Sequence, residues 1–130
     1  MDVWQLTLWA HLVGAAVWTG GSIVMVAVGP TMLAIDVEER LQRKVFQAWM
    51  RAAWVGMVLA VSTGIAMTLH QDLSFTSSAM GLKMALIVAA ALVAVVDGWL
   101  LFRTPAWVQT ANGIFLMIFN LGIFGAAVAL

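Results

Sequence analysis

Two histidines and a lysine lie within or at the rim of long apolar stretches, where imidazole and amine nitrogens are the groups able to do chemistry. His11 is preceded by Trp4-Gln-Leu-Thr-Leu-Trp-Ala and followed by Leu-Val-Gly-Ala-Ala-Val-Trp18. An ionisable side chain is costly at membrane depth, so one found there points by default to a functional site. Its imidazole can ligate a metal or relay a proton, or it can pack against a neighbouring carbonyl or hydroxyl. His70 lies one turn beyond Met67, and Met80 and Met84 follow at the start of the next stretch. Thioether and imidazole together suit Cu(I), which makes His11, His70 and Met67 a candidate copper set. The plainer roles are packing for the methionines and solvation for His70.

Helical spacing tells which residues share a face with His11. Positions i+3, i+4 and i+7 do so, and here they are Gly14, Ala15 and Trp18, followed by Gly21, Ser22 and Met25. Transmembrane helices set small residues against one another because these allow close backbone approach. The stripe is therefore expected to face protein and not lipid. Glycines also clear volume, so Gly14 and Trp18 are candidate contacts for a flat, bulky cofactor held by His11. Lys83 and Asp97, fourteen residues apart, fall on one stripe with Ile87, Ala90 and Ala94. Lys83 is expected at the level of His11, and Asp97 nearer the other side, where Arg51 also reaches. Buried charges in lipid pair, so an Arg51–Asp97 ion pair is the expectation. The alternative makes Arg51 an anchor for an acidic ligand group, adjusted by Asp97. Gln109, Gly113 and Asn120 share a further stripe, with Asn120 placed for interhelical hydrogen bonding.

The elements that position these groups follow from composition. Of 130 residues, 64% are hydrophobic and 9% charged, against about 25% charged in a soluble domain. Four stretches, 3–28, 46–69, 79–102 and 106–130, each approach the roughly 20 apolar residues that a membrane span needs. Short loops make consecutive helices antiparallel neighbours. The expected fold is all-α, an integral membrane antiparallel four-helix bundle forming a single domain over 1–130. Arg40, Arg43, Lys44, Arg51 and Arg103 lie in or beside the loops after the first and third helices. The positive-inside rule then puts both termini outside. Trp4 and Trp9 fit one aromatic belt, and Trp49, Trp99 and Trp107 the other. A signal peptide is not expected, because Asp2 is the first charge and the apolar stretch is too long. With no cysteine, disulfides, iron–sulfur clusters and thiolate metal sites are excluded. A formal net charge of zero gives no indication of a nucleic-acid partner.

A family resemblance now emerges from the motifs. His11 is followed by Trp18-Thr-Gly20-Gly21, the second helix ends in Ser62-Thr-Gly64-Ile-Ala-Met67, and the third opens with Gly81-Leu-Lys83-Met-Ala-Leu. The chain resembles, over nearly its whole length, the superfamily of HemJ-type protoporphyrinogen oxidases and the CopD copper-resistance membrane domain. That resemblance implies b-type heme, with His11 and Lys83 at the functional positions of the first and third helices. Apart from the resemblance, the ligand opposite His11 is left open among a methionine or His70 of the second helix, the Lys83 amine, an open site and a heme shared by a dimer, with propionate pairing the alternative for Lys83. The Pro-Arg-Leu-Phe-Val-Tyr-His run of those oxidases is replaced by Met25-Val-Ala-Val-Gly-Pro30-Thr-Met, and their histidine in mid third helix has no counterpart in 94–98. Heme binding with a redox or electron-transfer role is thus the expectation, and the oxidase signature is incomplete. The rival readings are a copper-handling membrane protein and a structural or assembly subunit. Expected partners are membrane lipid, a redox protein or quinone, and a second copy of the chain. The expected location is a bacterial inner membrane.

Overall fold

The computed structural model describes residues 2–71, 77–100, 103 and 106–128, with backbone alone at 33, 100, 106, 107, 109, 110, 124 and 126–128. Four helices follow one another: α1 Val3–Ala34, α2 Glu39–His70, α3 Ser78–Leu100 and α4 Ala106–Val128. No strand occurs among the described residues. Three helices, over Val3–Met32, Glu39–His70 and Ser78–Trp99, are long and apolar enough to cross a membrane. Within α4 the described apolar stretch is Ala111–Ile123.

The first two helices run further than the apolar pattern suggests. Arg40, Arg43 and Lys44, expected in or beside a loop, belong to the opening turns of α2. At 1.5 Å per residue its 32 residues measure about 48 Å, well beyond the roughly 30 Å of a hydrocarbon core. A helix of this length crossing such a core would continue into water, and the exposed Glu39–Arg43 ion pair, one turn apart, supports that end. Only 35–38 separate α1 from α2, and Asp36 turns the chain there with φ 52°. Aspartate tolerates this left-handed conformation better than most residues.

The chain divides into two compact units, 1–21 with 38–74 and 22–37 with 75–130, so α1 contributes to both. In the first unit α1 and α2 are antiparallel neighbours. The Trp4 and His70 rings stack at 3.4 Å between centroids, His11 meets Ala60, and Trp18 meets Trp54 at 5.9 Å. Contact partners thus fall along α2 as they rise along α1. In the second unit a Cβ on Gly122 of α4 would stand 3.1 Å from Leu86 of α3, and Asn112 of α4 donates to Asp97 at 3.5 Å. Val26, on the later part of α1, lies against Gly113 of α4. The buried centre of this unit includes Ser22, Ala90, Ala94, Leu116 and Asn120.

Candidate functional site

The stripe through His11 faces inward. Gly14, Trp18 and Ser22 are buried and His11, Ala15, Gly21 and Met25 half-buried, while Leu12, Val13, Ala16, Val17, Ile23 and Val24 are exposed. One face of α1 therefore meets protein and the other is exposed, the arrangement that small residues give in a membrane helix.

Opposite this stripe, α2 presents Gly56, Ala60 and Gly64, small residues four apart. Their effect shows in what a side chain would strike. A Cβ on Gly14 would lie 2.6 Å from the carbonyl oxygen of Gly56 and 2.7 Å from the amide nitrogen of Ala60. A Cβ on Gly56 would lie 2.9 Å from the Gly14 oxygen. The volume cleared at Gly14, expected to receive a cofactor, is taken up by the α2 backbone. Gly21 is used similarly, with the Trp49 indole nitrogen 2.7 Å from where its Cβ would be. The half-buried Trp49, expected in an aromatic belt, thus sets its indole nitrogen against α1. Trp18, the other expected cofactor contact, is 5% exposed and tilted against Trp54.

The close crossing delivers His11 to α2. Its Nδ1 lies 2.7 Å from the Ala60 carbonyl oxygen. A carbonyl only accepts, so Nδ1 carries the proton and donates. The Thr63 hydroxyl stands 3.4 Å from the same nitrogen and donates its own proton to the Leu59 carbonyl at 2.6 Å. Gly64 lies beneath the ring: a Cβ there would be 3.1 Å from His11 Cε1. In the neutral imidazole Nε2 is then the lone-pair nitrogen, and no described hydrogen bond engages it. Carbonyl and hydroxyl partners are those of a packed histidine, but they occupy one nitrogen only. This arrangement fixes the tautomer that a metal-ligating histidine needs.

Spacing around His11 does not reach Gly56, Ala60, Thr63 and Gly64, which join the site only through the helix crossing. The signal for them in the sequence is the repeated small residue at every fourth position of α2, which marks a helix contact face.

The remaining candidates divide between the two units. His70, exposed at the end of α2, is held face to face with Trp4, with 11° between the rings. It lies six residues, about 9 Å of helix rise, beyond Gly64. Met67 is half-buried between them. Lys83, half-buried, belongs to the second unit and shares the inward stripe of α3 with Ile87, Ala90, Ala94 and Asp97. Asp97 receives the Asn112 side chain, and Asn120 is 1% exposed on α4. The Trp107 and Gln109 side chains lie outside the described residues. Arg51 is exposed, so burial supplies no reason for it to seek an ion pair. The 20 residues from Arg51 to His70 are themselves about the length of one span. No group of three or more His, Cys, Asp or Glu side chains placed to hold a metal ion occurs among the described residues. No family model, curated protein or solved structure matches the chain.

Proposed function

We propose that this chain is a b-type heme-binding membrane protein with a redox or electron-transfer role, in which Nε2 of His11 would hold the iron. The observation that carries the reading is the 2.7 Å bond from His11 Nδ1 to the Ala60 carbonyl. Outer-shell acceptors of this kind orient a metal-bound imidazole and raise its basicity. The imidazole is a residue that would hold heme iron, while the crossing at Gly14 offers a macrocycle no room between α1 and α2. Bound heme supplies one-electron chemistry at iron, at a potential tuned by its ligands, burial and hydrogen bonds. The chain's own part is to hold the ring, keep its proton on Nδ1 and place Nε2 within the apolar layer. Lys83 enters as the third-helix position of the resembling family. Orientation belongs to the same proposal: both termini outside, the 35–38 turn and Arg103 in the cytoplasm of a bacterium, and His11 in the outer half of the bilayer.

The hydrogen bond favours a second reading, in which His11 locks α1 to α2 in a structural or assembly subunit. An absorption spectrum of the detergent-purified protein, oxidised and then reduced, separates the two. With ample heme during expression, a Soret band that shifts on reduction and a positive pyridine hemochrome assay are expected. A colourless protein overturns the heme reading. Stoichiometric copper by elemental analysis would favour the copper set, and neither group would leave the lock.

A further inference from the structure

We propose that one exposed face of α2 binds anionic phospholipid, with Arg51 on the headgroup phosphate and Lys44 and Arg40 drawn to the anionic surface above it. At 3.6 residues per turn, Arg40, Lys44, Gln47, Arg51, Val55 and Val58 lie within an arc of about 80°. All six are exposed. The face changes character along its length. Three cations and an amide occupy its first 12 positions, and Val55 and Val58 continue it at 69% and 64% exposure.

Charge, depth and apolarity together select a lipid. Among the described residues no ion pair engages Arg40, Lys44 or Arg51, whereas Arg43, on a neighbouring face, is paired with Glu39. Three cations without acid partners on one stripe attract phosphate, and guanidinium binds phosphate with two parallel hydrogen bonds. If α2 crosses with its last 20 residues, Arg51 meets the phosphate level and Val55 and Val58 lie in the acyl layer beneath. Arg40 and Lys44, up to about 16 Å further out, reach the headgroup and the anionic surface above it. A free phosphate or an acidic peptide would use the cations but not the valines. A phospholipid uses both.

The test reconstitutes the full chain in vesicles of phosphatidylglycerol and phosphatidylcholine and measures the enrichment of phosphatidylglycerol beside the protein with spin-labelled lipids. Wild-type protein is expected to enrich the anionic lipid. Neutralising Arg51, at the phosphate level, should cut the enrichment about fivefold, the usual effect of one cation at an anionic surface, with smaller losses at Lys44 and Arg40 further out. The triple variant R40Q/K44Q/R51Q should therefore lose it, while R43Q retains it. If the triple variant does not fold, Arg51→Gln alone carries the test. Absence of enrichment in the wild type overturns the proposal, as does its persistence in the triple variant or, where that variant is unfolded, in Arg51→Gln. Displacement by soluble glycerophosphate as effective as by phosphatidylglycerol would also overturn it, by removing the acyl contact.

Discussion

At the scale of single residues, His11 and His70 are the same chemical group in opposite circumstances. His11 has one nitrogen committed to a carbonyl and the other free of described hydrogen bonds. His70 has its ring face covered by Trp4 in an exposed position. If iron is bound through His11, then His11→Ala abolishes heme retention and His70→Ala leaves it intact, measured as pyridine hemochrome per mole of protein. Removing the His11 side chain gives up a hydrogen bond worth only about 1 kcal/mol. The Ala60 carbonyl remains within α2, so the bundle should still insert and fold. Equal heme content in wild type and His11→Ala would remove His11 from the iron. The histidine and its inward direction were legible from its neighbours at i+3, i+4 and i+7. Its partner was not, because nothing in α1 specifies which carbonyl of α2 it reaches. That choice depends on the register of two helices, set by close contacts such as Gly14 on Gly56, and it brings His11 to a carbonyl 49 residues away in the chain.

Among elements, the α1–α2 crossing turns on the difference between two glycines of one helix. Gly14 lies on backbone, while a Cβ on Gly20 would meet nothing within 4 Å. Overpacking a filled site costs about 1–3 kcal/mol, and surface substitutions stay within about 0.5 kcal/mol. Gly14→Leu should therefore lower the thermal midpoint in detergent by several degrees, and Gly20→Leu should leave it unchanged. Equal midpoints for the two variants would show that the crossing at Gly14 is not close. Glycine content alone reads equally well as a cleared cofactor face or as a contact, and the residues of α2 decide between them. The repeat Gly56, Ala60 and Gly64 held that information, since a helix with small residues at every fourth position asks for a partner. Helix lengths were less legible: the charged turns that open α2 break the apolar pattern without breaking the helix.

For the whole molecule, a chain with three helices long and apolar enough to span must place the 35–38 turn on one side of the membrane and Gln71 on the other, if α2 crosses. Basic residues crowd one end. Arg40, Arg43, Lys44 and Arg51 follow the turn, and no Lys or Arg occurs in 71–78. Translocating such a cluster is disfavoured, which predicts a cytoplasmic turn and an external Gln71. Because the chain has no cysteine, Asp36→Cys and Gln71→Cys each introduce one unique thiol at an exposed position. A membrane-impermeant maleimide applied to intact cells, in a bacterial host stripped of its outer membrane, should label Gln71→Cys and leave Asp36→Cys untouched until the membrane is opened. The reverse pattern would turn the molecule over and move His11, eight residues into α1, into the cytoplasmic half. That position decides which partners are within reach. If His11 holds heme, electrons would be exchanged near the outer surface under the expected labelling and near the cytoplasm under its reverse, while the cationic stripe of α2 would face the opposite leaflet from His11.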